Sequence, residues 1–410
     1  MKCLLKTATY LCQESMQLNL YTDRNNKDIS WKYSNNITEL AEEWQLVIAQ
    51  SNDVFLSYNF LLALQLHPPV DVDFFYFIIY HKGEAAGVLI FQSQLFEARK
   101  SIVTEENSGL VRGTIRNMIA NRVNFKALVN GNAALTGEHG FYFNYDLVSK
   151  HKIPECIEII TAFLKEKEFA KSKYGVLHIV KDLTVDERLN QDWIDYKYHK
   201  VSVQPNMILP IRKAWVNFDG YLEAMSSKYR KNVRRGLKKA KDLKKYELNL
   251  DQIASFETKI FELYQSVKDN ANFNLFELHP KYFYSLKKQM GDDFKLVGYF
   301  LDEEMISFYT LINNYKTLDA HFLGYDADAN RTYMLYFNML LDMVKHGIEN
   351  DFENVEFART AMEIKSSVGA EPKNMMVYIR YENKILNRLV GKITALIKPN
   401  IEWTQRHPFK

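Results

Sequence analysis

The sequence predicts an α/β protein with two domains of the same kind, each with helices around a mixed sheet. Its 410 residues exceed what a single hydrophobic core usually organises. Its composition, 47% hydrophobic and 25% charged, is that of an average globular protein. A strand, a tight turn and a second strand at 74–92 also return 220 residues later, at 294–312. This repeat indicates a duplicated unit.

Similar elements flank both copies of the hairpin. A short amphipathic helix precedes each copy, and a helix followed by a strand comes after it. The assigned helices and strands are 58–66, 110–123 and 125–130 in the first copy, and 280–290, 333–350 and 354–358 in the second. The shared order of helix, strand, strand, helix and strand predicts two superposable halves.

These elements divide the chain at about residue 200. We predict a peripheral segment at 1–30, an N-terminal domain at 31–200, a C-terminal domain at 201–395 and a tail at 396–410. The boundary falls on an edge or crossing strand at 204–210 that two prolines bracket. A helix over 383–398 carries apolar residues on one face and cations opposite. We expect it to pack on the second domain, with peripheral contact to an anionic membrane as the alternative.

Several classes of protein lack support in the sequence. The 16 glycines include no GxGxxG, GxxxxGK[ST] or GxSxG motif, and the ten histidines include no HExxH, so we expect no metal site. The longest apolar runs are too short to span a membrane, and the start lacks a secretory h-region. Three cysteines without a CxxC pair fit a reducing compartment, and we predict a cytoplasmic protein. A net charge of +3 does not indicate DNA binding.

The second domain opens with a strongly basic helix, predicted over 228–245. One face carries apolar residues at helical spacing, including Tyr229 and Val233, and the other faces carry ten cations against the single acid Asp242. Like charges at this density repel one another, whereas an ordinary solvated face mixes signs. The pattern favours a surface that binds an anionic substrate.

Two segments resemble a known family. The stretch Ser226-Ser227-Lys228-Tyr229-Arg230-Lys231-Asn232-Val233-Arg234-Arg235 and the segment 357–370, with its KxxxG turn, are similar to the acetyltransferase domain of the BioF2-like group. More widely they resemble the FemABX-like transferases, which contain two GNAT-like domains in tandem. The resemblance covers roughly residues 40 to 385. It implies transfer of an acyl group to an amine in a cleft between the domains.

The resemblance and the local pattern together select candidate catalytic residues. Lys365 would act as a cation on the reacting carbonyl or on a substrate phosphate, with Glu363 orienting it or accepting a proton. The alternative for this pair is an exposed ion pair of little consequence. Arg359 belongs to the same matched segment. On the preceding strand, His321 could serve as a base or be structural, and Tyr325 could donate a proton to the leaving group.

Further residues are predicted to bind substrate. They are Lys228, Tyr229, Arg230 and Arg234 of the basic helix, and Asn130 and Asn132 of a polar loop at a strand end. The cations would contact phosphate or carboxylate groups, Arg bidentately and Lys as a point charge. The polar loop either lines the cleft between the domains or forms an ordinary turn.

The two halves differ in their candidate site for the acyl donor. In a GNAT fold the coenzyme A pyrophosphate binds where the fourth strand enters a helix, normally through a glycine-rich turn. In the second half this turn, 324–332, has no glycine after Gly324 and contains Asp326 and Asp328, so we expect coenzyme A to bind weakly there. In the first half, a better anion site or an ordinary capped helix is formed by Ser108, Gly109, Arg112 and Arg116.

The leading hypothesis is a cytoplasmic N-acyltransferase that acts on the amine of an anionic acceptor. Acyl-CoA is the candidate donor, and a small-molecule or nucleotide-linked amine is the candidate acceptor. One alternative is a FemABX-type transferase that uses aminoacyl-tRNA to extend a peptidoglycan precursor. The other is a non-catalytic binding protein on the same fold.

Overall fold

Two mixed sheets, one centred on each half of the chain, organise the molecule. The computed structural model describes residues 18–23, 26–97, 124–269, 277–396 and 403–410. In these ranges the first sheet has the order β1-β2-β3-β4-β5-β7-β16-β8, with β6 paired to β4. The second has the order β10-β11-β12-β13-β14-β9-β15.

The strands and helices follow in chain order. The strands are β1 (Tyr21–Thr22), β2 (Ile29–Ser34), β3 (Val72–His81), β4 (Glu84–Glu97), β5 (Asn124–Asn130), β6 (Phe141–Phe143), β7 (Gly175–Thr184), β8 (His199–Ser202), β9 (Asn206–Pro210), β10 (Lys244–Glu247), β11 (Phe294–Leu301), β12 (Glu304–Asn314), β13 (Thr317–Tyr325), β14 (Asn354–Glu356), β15 (Glu371–Lys373) and β16 (Met375–Tyr381). The helices are α1 (Ala41–Ile48), α2 (Tyr58–Leu66), α3 (Ile153–Lys167), α4 (Glu187–Asp195), α5 (Phe218–Ala224), α6 (Ser227–Lys239), α7 (Leu250–Ser255), α8 (Glu257–Asp269), α9 (Tyr282–Met290), α10 (Ala327–Tyr333), α11 (Leu335–Glu349), α12 (Met362–Ser367) and α13 (Lys384–Leu396).

The predicted repeat of the hairpin is confirmed in its register. Phe74 pairs with Gln92 in the first half, and Phe294 pairs with Ile312 in the second, at the same offset of 220 residues. The register shifts after Ile79 of β3 and after Tyr299 of β11, because the partner strand has an extra residue, Ala86 in β4 and Ile306 in β12, again at that offset. The turn residues Lys82 and Asp302 both have a positive φ, of 52° and 54°. The hairpins are therefore equivalent residue by residue.

One predicted equivalence between strands of the two halves is wrong. β5 pairs antiparallel with β4, as β13 pairs with β12, so β5 corresponds to β13 and not to 354–358. The counterpart of β14 is β7, because each runs parallel to the preceding strand of its sheet. The predicted helix at 110–123 lies outside the described residues.

Two strands in equivalent places of the chain change sheets, and one of them, β16, crosses the predicted domain boundary. β9 directly follows the first-half strand β8 and yet pairs with β14 and β15 of the second sheet. β16 directly follows the second-half strand β15 and yet pairs with β7 and β8 of the first sheet. The two halves therefore exchange equivalent strands, which joins them more tightly than a linker would.

The basic helix is shorter than the sequence predicts. α6 ends at Lys239, and residues 244–247 form the edge strand β10 against β11. Its apolar side chains pack where expected, with Val233 and Ala240 in the core of the second half. A second core lies between the halves, where α2 packs on α9 and Ser285 Oγ donates to the Ala63 carbonyl over 2.9 Å.

Candidate active site

The parallel strands of the second sheet separate after a short pairing. β13 and β14 pair at only three positions, from Thr317–Asn354 to Asp319–Glu356. Beyond them β13 continues to Tyr325, while the chain after Glu356 turns away. The opening between them is a cavity of about 630 Å³, which we call the inner chamber. Its walls include Ala320 and His321 of β13, Ala358 and Arg359 after β14, and Lys181 of the first half.

A larger cleft adjoins this cavity. We call it the outer chamber, and its volume is about 2040 Å³. Both chambers are lined by Val203, Val267, Tyr336, Arg359 and Thr360, so they meet along these residues. One wall of the outer chamber is cationic, and its lining residues from α6 are Lys228, Tyr229, Lys231, Asn232, Arg234, Arg235 and Lys238.

A strained loop separates the chambers. Ala358, Thr360 and Ala361 have φ values of 57°, 67° and 43°, a left-handed conformation that side chains with a Cβ disfavour. The buried Lys365 holds this loop. Its ammonium group donates to the carbonyls of Phe357 and Arg359, each over 2.5 Å, and to that of Ala358 over 3.3 Å. Burial lowers the pKa of Lys365 to about 7.

Glu363 does not orient Lys365, contrary to one expectation. Arg406 Nε donates to Glu363 Oε1 over 3.1 Å, and a second guanidinium nitrogen contacts the same oxygen. Residues two apart on a helix point in different directions, so Lys365 turns inward while Glu363 stays at the rim of the outer chamber. Lys365 is 4% exposed, so it is not half of a solvated pair.

Arg359 joins the second half to the first. Its guanidinium forms an ion pair with Asp182, which is fully buried and also accepts from Lys181 Nζ over 2.6 Å and from the Gly137 amide over 3.1 Å. Burial alone would raise the pKa of Asp182, but the charges of Lys181 and Arg359 hold it below its ordinary value. This cluster forms part of the inner-chamber wall.

Two carboxyl groups, the buried Asp319 and the half-buried Glu356, lie beside the inner chamber without lining it. Asp319 and Glu356 are paired neighbours on β13 and β14, and a small cavity of about 40 Å³ touches both side chains. One oxygen of Asp319 lacks a hydrogen-bond partner, while Glu356 accepts from Asn206 Nδ2 over 2.6 Å. Burial raises the pKa of Asp319 well above its ordinary value, and the nearby Glu356 adds to the shift.

A histidine from the first half, His139, lies close enough to Asp319 to feel its charge. His139 Nδ1 lies 2.9 Å from Asp53 Oδ2. Burial would lower the pKa of His139, but the charge of Asp53, the hydrogen bond to it and the charge of Asp319 together raise it to about 8. The sequence analysis did not identify this cluster, because its four members are scattered over three hundred residues. A buried acid in an apolar strand, as at Asp319, was the one available signal.

His321 and Tyr325 lie in different chambers. His321 lines the inner chamber, where its Nε2 atom lies 2.7 Å from the Tyr282 hydroxyl. Burial lowers the pKa of His321 to about 3, so the neutral ring is a weak base. Tyr325 lines the outer chamber beside Tyr336, and burial raises the pKa of its hydroxyl. It therefore stays protonated at neutral pH and can donate a proton.

The polar loop reaches the inner chamber through other residues than those expected. The loop residues 133–136 line the chamber. Asn130 Nδ2 instead donates to the carbonyls of Ile90 and Gly140, both over 3.0 Å, and Asn132 Oδ1 accepts from the Ala134 amide over 2.9 Å. These two side chains therefore shape the loop and do not face the chamber.

The basic helix divides into a cleft face and an outer face. Lys228, Tyr229 and Arg234 line the outer chamber, as expected. Arg230 does not, because its guanidinium turns back towards the carbonyl of Glu223 at a distance of 3.4 Å. In the described part of the chain, no carboxylate lies within ion-pair distance of Lys228, Lys231 or Arg234.

The expected weakness of the pyrophosphate site in the second half has a structural counterpart. Asp326 caps the seven-residue helix α10, and its carboxylate accepts from the Ala329 amide over 2.7 Å. The protein's own anion thus occupies the place that a phosphate would need. The residues of this turn do not fit a pyrophosphate. The first-half candidates Ser108, Gly109, Arg112 and Arg116 lie outside the described residues.

Part of the chain matches a known family, and its fold is similar to solved structures. Residues 227–366 match the family described as acetyltransferase (GNAT) domain. The fold is similar to that of a crystal structure of FemX, with a TM-score of 0.52 and 12% identity over 86% of this chain and 98% of the other. A tandem GNAT protein from the clavulanic acid biosynthesis pathway gives a TM-score of 0.48 at 8% identity, over 86% of this chain and 99% of the other. No curated protein matches the chain in sequence.

Two other kinds of site are absent from the described ranges. None of the helices there is both long and apolar enough to cross a bilayer. No group of three His, Cys, Asp or Glu side chains in the same ranges has the geometry to hold a metal ion.

Proposed function

We propose that this chain, a FemABX-like protein with two GNAT-like domains in tandem, is an N-acyltransferase that acts on the amine of an anionic acceptor. The main observation is the continuity of the two chambers. An outer chamber with a cationic wall leads directly to an inner chamber between separated strands. An acceptor could bind its anionic group outside and extend its amine inside.

The outer chamber supplies the charge that such an acceptor needs. Lys228, Lys231 and Arg234 line it, and none of them pairs with a carboxylate of the described chain. A substrate phosphate or carboxylate can therefore bind there without first breaking an ion pair. Arginine binds such a group bidentately, and lysine binds it as a point charge.

The inner chamber can carry out the chemistry of acyl transfer. The amine attacks the carbonyl carbon of the donor, a C–N bond forms, and the bond to the leaving sulfur or oxygen breaks. The amine must also lose a proton. We assign its acceptance to the carboxyl pair Asp319 and Glu356, which lines the small cavity of about 40 Å³ that shares Ala320, His321 and Ala358 with the inner chamber. We assign to Lys365 the positioning of the loop at Arg359 and Thr360.

The test is a transfer assay on purified protein with labelled acyl-CoAs and labelled aminoacyl-tRNAs as donors, against a panel of amines with and without phosphate groups. We expect product only with anionic amines. Arg234→Ala should raise KM for the acceptor about tenfold, because a charge-assisted hydrogen bond contributes at least about 1.4 kcal/mol. Arg230→Ala, one helical turn away and outside the outer chamber, is the matched control.

Transfer to neutral and anionic amines at equal rates would contradict the proposal. An unchanged KM in Arg234→Ala would also contradict it. If no donor yields product while a nucleotide-linked amine raises the melting temperature of the protein, the non-catalytic alternative is correct.

One observation favours the second candidate, a transferase that uses aminoacyl-tRNA. The carboxylate of Asp326 already occupies the amide end of α10, so coenzyme A lacks its usual contacts in the second half. An aminoacyl ester needs no pyrophosphate site. If the donor is aminoacyl-tRNA, ribonuclease treatment will abolish transfer, and a peptidoglycan precursor is then the first acceptor to test. Both candidates place the protein in the cytoplasm, where these donors are made.

A further inference from the structure

The helix α13 contacts the rest of the protein through its polar and small residues. It lies along β16 and β8 at the edge of the first sheet, not on the second domain as the sequence analysis expected. Asn387, only 8% exposed, donates to the Lys197 carbonyl and accepts from the Tyr381 amide, both over 2.9 Å. The Asn387 carbonyl oxygen lies 2.8 Å from His199 Nε2.

A glycine allows this close approach. A Cβ at Gly391 would lie 2.6 Å from Cε1 of His199, which is closer than real side chains come. Gly391 follows Asn387 by one helical turn, so both belong to the face that meets the sheet. The orientation of α13 is therefore fixed by specific contacts, and a rotation about the helix axis would break them.

The opposite face of α13 is apolar and exposed. Ile385 is 73% exposed, Leu386 43% and Leu389 47%. They form one ridge, because Ile385 and Leu389 are one turn apart and Leu386 lies beside them. An amphipathic helix of a globular protein normally buries this face. Here the arrangement is reversed, and the ridge has no partner among the described residues.

Cations flank the ridge on one side. Lys384, Arg388 and Lys392 are exposed and lie at successive turns between the ridge and the face that meets the sheet. The helix contains no acidic residue. The acid just before it, Glu382, pairs with Lys165 over 3.1 Å. The local field beside the ridge is therefore positive.

We propose that this outward face of α13 is a docking surface for an anionic lipid membrane. Ile385, Leu386 and Leu389 would enter the boundary of the acyl chains, while the three cations contact the headgroups. An apolar ridge with cations beside it is the pattern of helices that lie in the plane of the membrane interface. With three apolar side chains, binding is reversible and depends on anionic lipid. This function is independent of acyl transfer.

The test is flotation of the full chain with vesicles of phosphatidylcholine alone or mixed with phosphatidylglycerol. We expect binding to the anionic vesicles, at least about tenfold weaker binding to the neutral ones, and weakening by salt. Ile385→Ser with Leu389→Ser should reduce binding about tenfold or more. The matched control is Leu46→Ser with Val216→Ser, which alters two exposed apolar residues elsewhere, 78% and 85% exposed.

The outcomes distinguish membrane binding from the alternatives, an unused surface and a protein interface. Equal binding to both kinds of vesicle, no binding, or an equal loss in the control would overturn it. If sedimentation shows a dimer that the Ile385→Ser and Leu389→Ser variant dissociates, the ridge is a protein interface and the proposal is wrong. The variant should keep its melting temperature and its transfer rate in solution, so failure here leaves the proposed enzymatic function untouched.

Discussion

In the first half of the molecule, β5 and β7 stay paired over six positions, from Phe125–Gly175 to Asn130–Val180. In the second half, the equivalent strands β13 and β14 pair over three and then separate. The hairpins before them agree down to the bulge and the left-handed turn residue. The two halves thus share a fold, but the sheet of the second half is open between β13 and β14. The inner chamber lies in that opening.

The residues at that place differ as much as the strands do. Gln92 pairs with Val129 where the equivalent Ile312 pairs with Asp319, and Val129 pairs with Ile179 where Asp319 pairs with Glu356. The first half thus has an apolar pair where the second has two carboxyl groups, the buried Asp319 and the half-buried Glu356. Buried charge opposes folding, so this difference supports the role in acyl transfer that we propose for the pair.

Residues at equivalent positions of the two halves also contact each other. Asp182 lies three residues after Ile179, and Arg359 lies three after Glu356, so the ion pair between the halves joins corresponding positions. We expect Asp182→Ala to cost about 3–5 kcal/mol of unfolding free energy, because Lys181 and Arg359 would lose a buried counterion. Urea denaturation measures this, with the exposed Asp146→Ala as control. A loss below about 1 kcal/mol would show that the pair does not join the halves.

The carboxyl pair can be replaced by its first-half counterpart. Asp319→Val with Glu356→Ile should raise the unfolding free energy by about 1–4 kcal/mol, since apolar residues often stabilise a site that held buried charge. The same variant should slow acyl transfer. The reciprocal change, Val129→Asp with Ile179→Glu, should destabilise the first half. A destabilised second-half variant with unchanged transfer would refute a chemical role for the pair.

The pair of His139 and Asp53 should contribute a smaller, pH-dependent part of the free energy of unfolding. The folded pKa of His139 is about 8, above its ordinary value, so the stabilisation is complete below about pH 6.5 and is lost as pH rises through 8. Asp53→Asn removes the charge and keeps an acceptor for the Phe55 amide. The stability gap between wild type and variant should be about 2 kcal/mol at low pH and vanish above about pH 9. A gap that does not change with pH would contradict the assignment.

The sequence predicted the duplicated hairpin because alternating apolar residues and a tight turn are local signals. It also predicted that the basic helix borders a cleft and that the turn at 324–332 disfavours pyrophosphate. It did not reveal the exchange of β9 and β16, since an exchanged strand satisfies the same pairing as one from its own half. The missed equivalence of β5 and β13 followed from counting elements without their strand directions.

The directions of side chains were the other feature that could not be predicted from the sequence. Lys365 and Glu363 are neighbours in sequence, but the helix turns one inward to the loop carbonyls and the other towards Arg406. Arg230 and Arg234 have the same spacing to the apolar face, yet Arg230 reaches back to the Glu223 carbonyl at the end of α5, which also accepts from Lys410. For α13 the periodicity was read correctly, but the contacts of Asn387 and Gly391 turn its apolar face outward.

The central claim is that the chemistry occurs where β13 and β14 separate. The most direct measurement is the single-turnover transfer rate of Ala320→Trp, which fills the inner chamber, beside Ala127→Trp on the equivalent strand of the first half. We predict a loss of at least about 100-fold for Ala320→Trp, because misplaced reactants forfeit their alignment, and little change for Ala127→Trp. Equal rates for the two folded variants, or a larger loss for Ala127→Trp, would contradict the claim.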